Sequence, residues 1–132
     1  MTSRIGTSNP VYCTAVGKAM LSSLPEEEMQ DILARIRYVR LTRKTLMSEE
    51  DLLRDLEKTR RRGYAVDDEE VEEGVRCVGA SILDSTGHPV AAVSVSGPSF
   101  RMTVQNVRNI STLLVDCVQA ISADLGYRQI AS

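Results

Sequence analysis

Tryptophan is missing from the chain, phenylalanine occurs once, and aromatic residues make up only 4%. Single-stranded nucleic acid is gripped by rings that stack on bases, so that function is poorly supported. Charge of one sign is also lacking. Sixteen Lys and Arg stand against eighteen Asp and Glu, for a formal net charge of −2, whereas a free-standing nucleic-acid binder carries a clear basic excess. No apolar run approaches the ~18 residues of a membrane span, which predicts a soluble chain with no membrane contact. Residues 1–6 hold no apolar core and do not read as a secretion signal. Cys13, Cys77 and Cys117 form no CxxC pair, which excludes a zinc ribbon or thioredoxin-type motif. Their odd number and wide spacing predict free thiols in a cytoplasmic protein, with Cys117 a small buried hydrophobe. Internal repeats and low-complexity stretches are absent as well.

What is present suits one domain. The 132 residues are 42% hydrophobic and 26% charged, and a chain of this length buries roughly 68% of its unfolded surface. Asn9-Pro10 signals a turn or extended entry. Thr14 caps a short helix over 15–23. Pro25 opens a second helix, with Glu26, Glu27 and Glu28 at its positive end and Met29, Ile32, Leu33 and Ile36 as its apolar stripe. Ser48 starts a third helix, with Asp51 three residues on, and Leu52, Leu53 and Leu56 facing the core. It ends in Lys58, Arg60, Arg61 and Arg62 before a left-handed Gly63. That basic run suits a helix C-terminus, and the nucleic-acid reading is the weaker one. Residues 64–67 read as a short strand. Six carboxylates crowd positions 67–73. A solvated loop explains them, with a hard-metal site as the alternative, although the spacing is not that of an EF-hand. A long amphipathic helix runs from Thr103 to Leu125 with Gly126 as its stop. Its apolar face of Val107, Ile110, Leu114, Cys117, Val118, Ile121 and Leu125 is suited to lie against a sheet.

Residues 75–83 and 89–97 form a hairpin. A four-residue loop, 84–87, places Leu83 opposite His88, Cys77 opposite Ser94 and Val75 opposite Ser96. Side chains alternate between faces. One face carries Val78, Ala80, Ile82, Ala91, Val93 and Val95, an ordinary surface for helices to cover. The other carries Val75, Cys77, Gly79, Ser81, Ala92, Ser94 and Ser96. Small polar groups pack a core poorly and leave room and hydrogen-bonding capacity behind them. Three readings stay open: a small-ligand pocket, a solvent-exposed face, and a floor for a closely packed helix. A one-residue register slip would separate Cys77 from Ser94. The helix start at Ala15 and Val16 offers backbone amides and partial positive charge to a carboxylate, or is satisfied by Thr14 and water. Gly17-Lys18 fails as a P-loop, because Tyr12 occupies the first glycine position and Ala19 replaces Ser or Thr. His88, the sole histidine, lies six positions along the strand from Ser94, roughly 20 Å at ~3.3 Å per residue, too far for a Cys–His or Ser–His pair.

The succession PVYCTAVGKAMLSSLPEEE, RRRGYAVDDEEVEEGVRCVGASILDSTGHPVAAVSVSGP and SFRMT plus the closing helix resembles the effector-binding domain of the IclR family of bacterial transcription regulators. The resemblance covers about residues 9–127. Residues 1–8 would be a linker and 128–132 a tail. It implies an α+β fold of GAF/profilin type, a curved antiparallel sheet with helices on one side and a small-molecule pocket on the other. By motif position Ala15 and Val16 would supply backbone amides, and Asp67, Cys77, Ser94 and Ser96 would line the pocket. Asp67 enters through the resemblance alone and would accept a ligand hydroxyl unless it is protonated. Val16 stands where a smaller residue is common, which would narrow the pocket.

The family's regulators bind DNA through an N-terminal winged helix-turn-helix that this sequence does not resemble, so the expectation is a piece of a longer regulator. That regulator would be a homodimer or homotetramer, would bind a small organic acid or related metabolite without cofactor, metal or catalysis, and would contact DNA only through the missing part. The rival readings are a cysteine-dependent enzyme acting on a small carbonyl substrate through Cys77 and a dimerisation module without a ligand.

Overall fold

The computed structural model describes residues 11–128. The expected turn at Asn9-Pro10, the linker over residues 1–8 and the last four residues of the tail lie outside them. Helix α1 spans Ala15–Ser23, α2 Glu26–Leu33 and α3 Glu49–Arg62. Strands β1 (Ala65–Asp68), β2 (Val75–Leu83) and β3 (Pro89–Pro98) follow, then α4 (Val104–Asp124). The three strands form one antiparallel sheet in the order β1-β2-β3. The class is α+β, as the family resemblance implies.

Local chemistry sets the helix ends. The Thr14 hydroxyl accepts from the Gly17 amide at 3.1 Å, Ser48 from Asp51 at 3.1 Å, and Thr103 from Asn106 at 3.2 Å, each satisfying a donor that has no intrahelical partner. Gly63 takes φ +87° at the end of α3, a left-handed cap that a side chain would strain. Pro25 precedes α2 as its N-cap rather than opening it, and Ile36 lies beyond the helix, half-buried against the same core.

The sheet divides two cores. On one side Val78, Ala80 and Ile82 meet Met102, Val107, Leu114 and Val118 of α4 and its approach. On the other, Tyr12, Cys13, Leu21, Met29, Leu33, Leu52 and Leu56 knit α1, α2 and α3 together. Leu52 and Leu56 are fully buried, each worth about 1.5–3 kcal/mol of apolar transfer. Helices therefore cover both faces of the sheet, not one. The Tyr12 hydroxyl accepts from the Val39 amide at 2.8 Å and donates to its carbonyl at 2.9 Å, tying the segment after α2 to the start of α1.

Two expectations fail here. Cys117 is exposed, and Ile121 and Leu125 are 37% and 49% exposed. α4 instead turns Ser111 and Ser122 inward. The Ser122 hydroxyl accepts from the Leu83 amide at 2.9 Å, so a strand end claims a position that hydrophobicity alone would give to Ile121. The acidic stretch is not a solvated loop either. Asp67 and Glu70 are buried, and the chain turns at Glu69, φ +57°, to point Glu70 inward.

Candidate functional site

The hairpin register differs from the predicted one by two residues. Cys77 lies opposite Ser96, Gly79 opposite Ser94 and Val75 opposite Pro98. The loop is one residue longer than expected, with Leu83 opposite Pro89, and an irregularity between Ile82 and Leu83 supplies the second residue of shift. Because side chains repeat every two residues, a shift of two leaves every residue on its expected face. β1 extends the same row, with Asp67 opposite Cys77 and Ala65 opposite Gly79. Asp67, Cys77 and Ser96 thus cross three strands in line, with Ala65, Gly79 and Ser94 in the next line.

The start of α1 crosses this face. A Cβ placed on Gly79 would meet the Ala15 carbonyl carbon and oxygen at 2.8 Å. The small residues therefore serve as a floor for α1 at Gly79 and again at Ser81, whose hydroxyl lies 2.5 Å from that of Ser23. Beside that contact only the β3 end of the row reaches the surface. Ser94 and Ser96 are exposed, Val16 is half-buried, and Ala15, Asp67 and Cys77 are buried. The helix start and the hydroxyl-bearing end of the row sit on the same face of the sheet.

Cys77 Sγ lies 3.0 Å from Ser96 Oγ. Burial pushes its thiol up, opposed by the bond to Ser96 and reinforced by the Asp67 charge, the reverse of what an activated nucleophile needs. Burial also raises Asp67. The Glu70 amide, the Lys18 ammonium, the Val71 amide and the Cys77 thiol oppose that rise. The Glu70 amide donates to Asp67 Oδ1 at 2.8 Å, so the carboxylate is held by its own turn. His88 stands at the hairpin end of the sheet, 2.9 Å from Glu28, and the Glu28 bond raises its pKa.

Sequence reasoning missed Lys18. Its side chain is 0% exposed, and its Nζ donates to Asp55 Oδ2 at 2.6 Å and to both Glu70 oxygens at 3.0 and 3.1 Å. The signal was available, since Lys18 shares the buried side of α1 with Ala15, Ala19 and Ser22, and an excess of carboxylates follows β1. No cluster of three or more His, Cys, Asp or Glu able to hold a metal ion occurs among the described residues.

A cleft of about 370 Å³ opens at the other end of α1, among Ser22, Ser23, Thr59, Arg60, Ser81 and Tyr127. Its polar groups already engage one another: Ser23 with Ser81, Arg60 on the Ser22 carbonyl at 3.0 Å, Thr59 on the Asp55 carbonyl at 2.9 Å. The row at Asp67, Cys77 and Ser96 is the better candidate.

The fold defines an α+β domain, a three-stranded antiparallel sheet with helices on both faces. Comparison with known proteins gives its family. The model of the bacterial transcriptional regulator IclR C-terminal family matches residues 1–123, and the chain belongs to that family. It is 39% identical over 127 residues to the HTH-type transcriptional regulator KdgR of Escherichia coli, covering 96% of this chain and 48% of KdgR. The crystal structure of the Thermotoga maritima IclR superposes with TM-score 0.90 at 42% identity, over 96% of this chain and 51% of that one. The inducer-binding domain of the PobR transcription factor from Acinetobacter, a double mutant in complex with 3-hydroxybenzoic acid, superposes with TM-score 0.77 at 26% identity, over 86% and 66%. The chain spans about half the length of the curated relatives it matches. No helix among the described residues is long and apolar enough to cross a membrane.

Proposed function

We propose that this chain is the effector-sensing domain of a bacterial transcription regulator and that its ligand is a small organic acid. The carrying observation is the placement of Asp67, Cys77 and Ser96 in one cross-strand row, next to a helix start packed on Gly79. The first amides of a helix lie outside its hydrogen-bond ladder and favour an anion. Ala15 and Val16 hold the acid's carboxylate in this reading. Cys77, Ser94 and Ser96 offer hydrogen bonds to its other oxygens, and Asp67 closes the far side. The acid held by the PobR domain supports that ligand class.

The effector's unequal affinity for two conformations shifts a homodimer or homotetramer between DNA-binding states. DNA contact belongs to a winged helix-turn-helix outside this sequence, and the regulator acts in the cytoplasm. The raised Cys77 thiol and the distance of His88 from it speak against the enzyme reading. The test is thermal stabilisation by a panel of small carboxylates. At least one acid should raise the melting temperature, and Ser94→Ala or Cys77→Ala should weaken the effect. Silence across the panel, in this chain and in a full-length regulator carrying it, refutes the proposal.

A further inference from the structure

Three carboxylates and one ammonium meet at the Asp67 end of the candidate row. Lys18 Nζ bonds Asp55 of α3 and Glu70 of the acidic turn. Glu70 Oε2 also accepts the Asp68 amide at 3.0 Å, and the Glu70 amide donates to Asp67 Oδ1 at 2.8 Å. The side chains of Lys18, Glu70 and Asp55 are 0%, 6% and 20% exposed, and Asp67 is 3% exposed. Other groups facing the cluster are the thiols of Cys13, just before α1, and Cys77 of β2. The cations Lys44 and Arg76 are engaged with Asp68 and Glu69 instead. One buried cation stands against two buried carboxylates, Asp67 and Glu70, and the partly buried Asp55, which leaves an excess of negative charge, and a buried charge without a partner is expensive.

We propose that Lys18 and Glu70 set the charge of the candidate site, so that an anionic ligand beside Asp67 binds together with one proton taken up by this cluster. The inference rests on the proposed function for its ligand and on the cluster geometry for its proton. Glu70 is the group placed to receive it, since burial outweighs the Lys18 ammonium and pushes its carboxyl up to about 7. Glu70 accepts two bonds from Lys18 and one from the Asp68 amide, and its own amide holds Asp67. Its carboxyl therefore acts on the ligand through the charge of the cluster, while its backbone amide, which Glu70→Gln leaves in place, keeps Asp67 oriented.

The experiment has two arms on the same protein. In the first, carbon-13 NMR follows the side-chain carboxyls from pH 4 to 9 without ligand. A midpoint near neutrality that disappears in Glu70→Gln supports the proposal, and midpoints all below pH 5 overturn it. In the second, calorimetry measures binding of acetate, lactate and 3-hydroxybenzoate, all ionised carboxylates from pH 6 upward. Affinity of the acid that binds should fall about five- to ten-fold between pH 6 and 8, the linkage expected when a group near 7 gains one or more units on binding, and Glu70→Gln should flatten that dependence without unfolding the domain. An affinity independent of pH overturns the coupling. No binding of any acid at either pH counts against the proposed function, while the carboxyl titration still decides whether the cluster holds its proton.

Discussion

Replacing Gly79 with alanine adds one methyl group where α1 crosses β2. That methyl would sit 2.8 Å from both the carbonyl carbon and the oxygen of Ala15, and 3.1 Å from its Cβ. The first two are backbone atoms, so relief requires moving the start of α1 rather than turning a side chain. Overpacking of this kind costs about 1–3 kcal/mol. Unfolding entropy of about 2.1 cal/mol/K per residue, over 132 residues, makes each 1 kcal/mol worth about 3–4 °C, so about 7 °C is expected at the middle of the range. Gly97→Ala is the matched control. Its methyl would meet Met102 Cγ at 2.9 Å and Sδ at 3.5 Å, on the α4 side of the same sheet, and an unbranched methionine can move aside. Calorimetry and urea unfolding of both variants should show Gly79→Ala clearly more damaging, with loss of any acid-induced stabilisation that the parent shows. If Gly79→Ala is as mild as Gly97→Ala, the floor that Gly79 provides for α1 is not what holds the helix start in place.

Four further outcomes are expected. Lys18→Met leaves Asp55 and Glu70 without their cation and should lower stability by about 3–5 kcal/mol, the penalty for breaking a buried pair, read by urea unfolding. Glu70 has a folded pKa raised above its ordinary value, to about 7. Its stabilising effect is complete below pH ~4.5 and is lost as pH climbs to about 7, and Glu70→Gln should remove that loss from a melting-temperature profile. His88 is likewise raised by Glu28, so its contribution is full below pH ~6.5 and fades above, and His88→Gln should erase that increment. Of the three thiols, exposed Cys117 should react at once with an aromatic disulfide reagent, buried Cys13 and Cys77 only on unfolding. Absence of a fast phase would contradict the placement of α4, and a fast phase that survives Cys117→Ser would contradict the burial of Cys13 and Cys77.

Helix ends were the most readable feature of the sequence. Thr14, Ser48, Gly63 and Thr103 act through local hydrogen bonds or backbone angles that need no knowledge of distant chain. The membership of the polar row was readable for a similar reason. Strand alternation survives the two-residue error in register, so Cys77, Ser94 and Ser96 share a face even though Cys77 faces Ser96. What failed depends on tertiary choice. The orientation of α4 turns on Ser122 meeting the Leu83 amide, a long-range bond invisible to periodicity. Burial of Glu70 depends on Lys18, a residue that composition places on the surface, and the Glu70 amide in turn holds Asp67. The motif resemblance supplied Asp67, and the β1–β2 register then put it beside Cys77.

Among the described residues β2 alone is paired on both sides, and it is roofed by α1 above and α4 below. Local opening follows the weakest cover first. Amide protons from Cys77 through Ile82 should therefore exchange with solvent last, at the rate of global unfolding, with those of β3 ahead of them. A perturbation at the thiol-bearing row would then be felt in the most slowly breathing segment of the described residues, packed directly against the long closing helix.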